Sequence, residues 1–242
     1  MRRLRTLVGP IASLSDAITV MLACVSITSW AAGSLPLAMA SGRGDPPYAF
    51  LHRERSKPVA WDCRESISVG VGASRLTALL EAEVMSELRS VVAEISSESP
   101  YTLAIAGSTS IIPTQQWGRN MLGAEGEFDV VVYFGEIGDT DLTLPGTAAV
   151  GGNFSIPGDG DSDLAYAGYV FIDVANLGDY RTGLGYFSRG ALFTHEFLHV
   201  LGLDHTTHPD SMMTPLISRS TGSMGAGDVA GLRHLASLGC GY

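Results

Sequence analysis

Thr194-His195-Glu196-Phe197-Leu198-His199-Val200-Leu201-Gly202-Leu203-Asp204-His205 is the stretch on which the reading of this chain turns. His195 and His199 are four residues apart, so on a helix both imidazoles lie on one face, one turn apart, close enough to share a metal. Phe197, Leu198, Val200 and Leu201 are free to face a core. Gly202 lets the chain leave the helix through a left-handed conformation that other residues resist. The turn can then return His205 as a third ligand.

Three neutral imidazoles with an open fourth position describe a catalytic zinc site rather than a structural one. Zinc lowers the pKa of a bound water to about 7, and Glu196, beside the first ligand, is placed to take that water's proton and pass it to a leaving amine. The expected reaction is hydrolysis of a peptide bond by zinc-activated water, with Glu196 as general base and proteins or peptides as substrates. A non-catalytic zinc-binding or adhesion module is the competing class, and the carboxylate of Glu196 argues against it. His208 is a weaker candidate ligand, and His234 lies outside the motif.

Downstream, Ser211-Met212-Met213-Thr214-Pro215 follows the histidines at short range. With that segment the sequence resembles the metzincin clan of metalloproteases, whose motif is HExxHxxGxxH and whose Met-turn aligns with Met213. Gly227-Asp228-Val229-Ala230-Gly231-Leu232 resembles the start of the matrixin C-terminal helix, and bacterial matrixin-like peptidases are the nearest resemblance. It implies a metzincin-like zincin fold of the α/β (α+β) class. That fold has a twisted mixed sheet with an antiparallel edge strand, two long helices, and a small C-terminal subdomain carrying the Met-turn and a helix. It also implies that substrate adds to the edge strand, for which Thr147–Val150 is the candidate, and that residues 215–224 shape the pocket beyond the scissile bond. Asp159, Asp161 and Asp163 are read either as a solvated acidic turn or as a structural calcium loop. They do not form an EF-hand, because Leu164 and Val170 replace the Gly and Glu such a loop needs.

Outward from the motif, the chain has 242 residues, 45% of them hydrophobic and 17% charged, enough for one domain with a sizeable core. Arg2, Arg3 and Arg5 precede an apolar stretch from Ala17 to about Ala32, and Ala38-Met39-Ala40 fits signal-peptidase cleavage. Residues 1–40 are therefore expected to be a signal peptide, 41–60 a linker or short pro-segment, and 61–242 the catalytic domain of a secreted protein. Losing residues 1–40 removes three arginines and Asp16, taking the net charge from −10 to −12. Such a chain repels phosphate backbones, so nucleic acid is not an expected partner. No stable membrane association is expected, and a monomer is. Cys63 and Cys240 remain as an even pair, which in an oxidising compartment suggests one disulfide; the alternative is Cys63 as a thiolate on the zinc.

Period-two alternation over 66–72 predicts a strand. Leu76, Leu79, Leu80, Val84, Leu88, Val91, Val92 and Ile95 recur at helical spacing, with Pro100 marking the end. Further strands are expected over 101–106, 129–134, 147–150 and 169–174. Helices are expected over 189–201 and 228–238, the latter with Asp228 as N-cap.

Overall fold

The computed structural model describes residues 23–26, 46–51, 57–122, 126–143, 146–178, 180, 188–215 and 223–240. Most of the expected signal peptide, residues 41–45, His52 and residues 216–222 of the expected pocket segment lie outside the described residues.

Five principal strands form one sheet in the order β7-β8-β6-β4-β5: β4 (Ile67–Gly72), β5 (Leu103–Ser108), β6 (Val130–Gly135), β7 (Thr147–Ile156) and β8 (Asp163–Asp173). β5, β4, β6 and β8 run parallel, and β7 pairs antiparallel with β8. The fold is mixed α/β, with its antiparallel strand last of the five. β7 and β8 are ten and eleven residues long, well beyond their expected bounds. Their extensions carry Asn153, Ser155 and Asp163, polar residues buried in the sheet. Two short strands join: β3 (Val59–Ala60) parallel to β8, and β1 (Ala23–Ser26) antiparallel on the outer edge of β7, Ala23 opposite Gly151.

β6 reads Val-Val-Val-Tyr-Phe-Gly and is buried throughout, because both faces of the sheet are covered. On one face lie α1 (Ala78–Glu98) and α3 (Arg189–Val200), packed on each other and on the main core. Thr77 caps α1, accepting the Leu80 N–H, and Val84, Leu88, Val91, Val92 and Ile95 form its buried stripe. Leu79, expected in that stripe, is 68% exposed: α1 starts at Ala78, and its first turn overhangs the core. The other face is covered by α2 (Gln115–Met121), whose Trp117 ring meets Phe154 edge-on at 6.0 Å. Seven residues give too little periodicity for α2 to be read from sequence.

After α3 comes the C-terminal region with β9 (Leu203–Asp204) and α4 (Ala226–Gly239). α4 corrects one expectation. Its N-cap is Gly225, and Asp228 sits three residues in, its carboxylate accepting the Gly225 N–H at 2.8 Å. Asp228 is drawn inward because Ser211 and Met212 also donate to it. Cys63 and Cys240 are disulfide-bonded, Cα atoms 5.2 Å apart, tying the end of α4 to the start of the domain.

Part of the stretch read as linker or pro-segment is packed onto this region. β2 (Ala49–Phe50) pairs antiparallel with β9, and Leu51 N–H donates to the Gly202 carbonyl at 2.8 Å. Pro47 and Tyr48 lie against Gly227 and Gly231 of α4, where a Cβ would meet them at 2.6–3.2 Å.

Candidate metal centre

α3 presents the first two histidines. Ser188 caps it, accepting the Ala191 N–H at 3.0 Å. Arg189, 6% exposed, pairs with Glu87 at 2.8 Å and Glu83 at 3.2 Å on α1. Past its last residue, Val200, the chain leaves the helix through Gly202, whose φ of +105° suits glycine, and where a Cβ would stand 2.2 Å from the Val59 carbonyl oxygen. The chain thus turns hard under β3 and brings His205 back over the helix.

His195 Nδ1–H donates to the Met212 carbonyl and His199 Nδ1–H to the Leu203 carbonyl, each at 2.8 Å. A carbonyl can only accept, so these bonds fix both tautomers with the Nε2 lone pair facing inward. The three Nε2 atoms lie 3.1 Å (His195–His199), 3.2 Å (His195–His205) and 3.2 Å (His199–His205) apart. Tetrahedral zinc with bonds of 2.0–2.1 Å needs nitrogens about 3.3 Å apart. Two bare lone pairs at 3.1 Å repel unless a cation lies between them, so the donor set fits zinc. Among the described residues, this triad is the one group of three or more His, Cys, Asp or Glu able to hold a metal.

Burial dominates the electrostatics. It lowers His195 to about 4, a fall eased by the bond to Met212, and it lowers His199 well below the usual imidazole range and His205 less far. All three are therefore neutral, as metal ligands must be. Glu196 is fully buried, neither carboxylate oxygen has a hydrogen-bond partner, and burial pushes its pKa well up against a weaker opposing pull from the Gly151 backbone.

Behind the triad, the Met-turn is held from α4. Asp228, fully buried, accepts from Ser211 Oγ and from the Met212 N–H at 2.8 Å. Ser211 Oγ accepts the Met213 N–H at 3.0 Å, and the Met213 carbonyl accepts the Thr206 N–H at 2.9 Å. Met213 is buried, but the described contact with a ligand runs through the Met212 carbonyl. This role of Asp228 was not read from the sequence; an aspartate three residues into a helix that starts at glycine was its local signal. His208 is exposed and apart from the triad.

Asp159, Asp161 and Asp163 are not gathered around a common point. Asp163 is buried, accepting the Gly158 N–H at 3.3 Å, while Asp159 and Asp161 are exposed. Lys57 Nζ donates to the carbonyls of Gly160 at 2.6 Å and Gly158 at 3.2 Å, so a positive charge already sits on that loop.

Three convergent imidazoles, two on α3 with their tautomers fixed and a third returned by the turn that follows, define a zinc metallopeptidase centre of the metzincin clan. Residues 179–236 match the profile of the family described as Matrixin, and the matched stretch carries the three histidines at 195, 199 and 205 that can hold a metal. No curated protein sequence matches the chain.

Proposed function

We propose that the protein is a secreted zinc-dependent endopeptidase in which Glu196 is the general base. The observation that carries this is the state of Glu196: flanked by a metal ligand, fully buried, and without a hydrogen-bond partner for either oxygen. An unpartnered buried carboxylate costs stability, and a proton-transfer role accounts for keeping one there.

Zinc held by the triad would supply Lewis acidity toward a peptide carbonyl and a lowered pKa for water. Glu196 takes one proton from the attacking water as its oxygen bonds to the carbonyl carbon. It returns that proton to the amide nitrogen as the C–N bond breaks, so that acid and amine leave with atoms and charge balanced. Substrate backbone would add along the outer edge of β7, at Thr147–Val150. The antiparallel pairing of β1 with that edge supports this, since it marks the edge as able to accept a strand.

Secretion is supported by the basic and apolar leader and by the disulfide. The test is Glu196→Ala. Zinc content should be unchanged, while cleavage of a peptide mixture falls by at least about 10²-fold. Activity within a few-fold of wild type at equal zinc would remove Glu196 from the mechanism.

A further inference from the structure

Two side chains from outside the histidine motif hold the C-terminal end of α3. Val200 is the last residue of that helix, and its carbonyl is among those a helix end leaves without an internal partner. Trp61 Nε1–H donates to it at 2.8 Å and Asn153 Nδ2–H at 3.1 Å. A carbonyl oxygen has two lone pairs, so both are used. The Asn153 amide also reaches the His199 carbonyl at 3.5 Å. Asn153 is 3% exposed, an amide in a strand whose other buried residues are mostly small or apolar.

The placement follows from matched repeats. Gly151 and Asn153 are two residues apart on β7, about 6.8 Å. Glu196 and Val200 are four apart on α3, about 6 Å. Gly151 lies so close to the helix that a Cβ there would stand 2.1 Å from the Glu196 carbonyl oxygen. One step further along β7, Asn153 meets the next helix turn with a hydrogen bond. The strand is thus seated against the backbone of the helix at the two residues that follow the ligands His195 and His199.

We propose that Asn153 is a positioning residue for the metal centre. Its amide, together with the Trp61 indole, fixes the carbonyl end of α3, and so sets where His199 and the Gly202 turn deliver the imidazoles of His199 and His205. This rests on the zinc site and not on the peptidase reading, so its test stands if the protein cleaves no peptide.

The test compares wild type with Asn153→Leu, Asn153→Asp, Trp61→Phe and the Asn153→Leu/Trp61→Phe double variant. Each is prepared as folded apoprotein. Zinc affinity is read by competition with a chromophoric chelator, and site geometry by the visible spectrum of the cobalt(II)-loaded protein. Each single substitution should weaken zinc binding by about tenfold, the lower end of the effect seen for residues that support metal ligands, and alter the cobalt spectrum. The double variant should lose more than the product of the singles, because only it leaves the Val200 carbonyl with no donor. If Asn153→Leu does not fold, Asn153→Asp and Trp61→Phe decide by the same readings. Wild-type zinc affinity and cobalt spectrum in the folded variants, whatever their melting temperatures, would overturn the proposal and leave Asn153 a packing residue.

Discussion

His195 Nδ1 lies 2.8 Å from the Met212 carbonyl oxygen, and that peptide is itself fixed because the Met212 N–H donates to Asp228 at 2.8 Å. The first ligand is thus oriented through two hydrogen bonds by a carboxylate on another helix. Asp228→Ala would strip Ser211 Oγ and the Met212 and Gly225 N–H groups of a buried acceptor at once. At about 1–3 kcal/mol for each buried polar group left unpaired, the expected loss is several kcal/mol, with weaker zinc binding. A chemical-denaturation curve alongside a chelator competition checks this; stability within 1 kcal/mol of wild type would contradict the assigned role.

The turn at Gly202 makes a second prediction. Gly202→Ala must hold φ near +105° with a Cβ 2.2 Å from the Val59 carbonyl oxygen. The backbone strain alone costs about 1–3 kcal/mol, and β3 must also shift. Because the same turn returns His205, zinc affinity should fall together with the melting temperature. A stable Ala variant with full zinc would mean that His205 does not depend on this turn.

Acid should release the metal. The imidazole of His195 titrates near 4 in the folded protein against about 6.5 when unfolded. Between those values the unfolded chain binds the proton and the folded one does not, so stability rises with pH there. The contribution is intact above about 6.5 and is lost as pH falls toward 4, and lowered values at His199 and His205 act in the same direction. Zinc binds only neutral imidazole, so while the protein stays folded the metal should be held through that range and leave as pH falls to about 4 and below. A zinc-indicator titration from pH 7.5 to 3.5 checks it; release that is independent of pH would contradict it.

The disulfide closes a span of 177 residues, for which the chain-entropy model gives about 5 kcal/mol. Cys63→Ser/Cys240→Ser should lower stability by several kcal/mol while zinc still binds the residual folded protein. Equal denaturation midpoints would show that the bond adds nothing.

The histidine triad was legible because each part of it is local: helix period for His195 and His199, and one glycine for His205. The sheet was legible at β4 and β6, where alternation and an unbroken apolar run carry the signal. The extents of β7 and β8 were not, because Asn153 and Asp163 break the apolar pattern and find partners far along the chain, at Val200 and Pro58. Asp228 read as a helix cap for the same reason; its partners Ser211 and Met212 come close only once the Met-turn has folded. Segment 46–51 fell within the stretch read as a linker or short pro-segment, and its packing on α4 was not legible because it depends on glycines at 227 and 231, which mark a groove only in three dimensions.

The central claim is that the triad holds one zinc and that this zinc supports peptide cleavage. The most direct measurement follows zinc content and cleavage of a broad peptide mixture together, in the purified protein, after chelation, and after zinc is restored. The account predicts one zinc per chain, with cleavage lost on chelation and regained with the metal. Cleavage that persists after zinc is stripped, or a fully zinc-loaded protein that cleaves nothing, would contradict it.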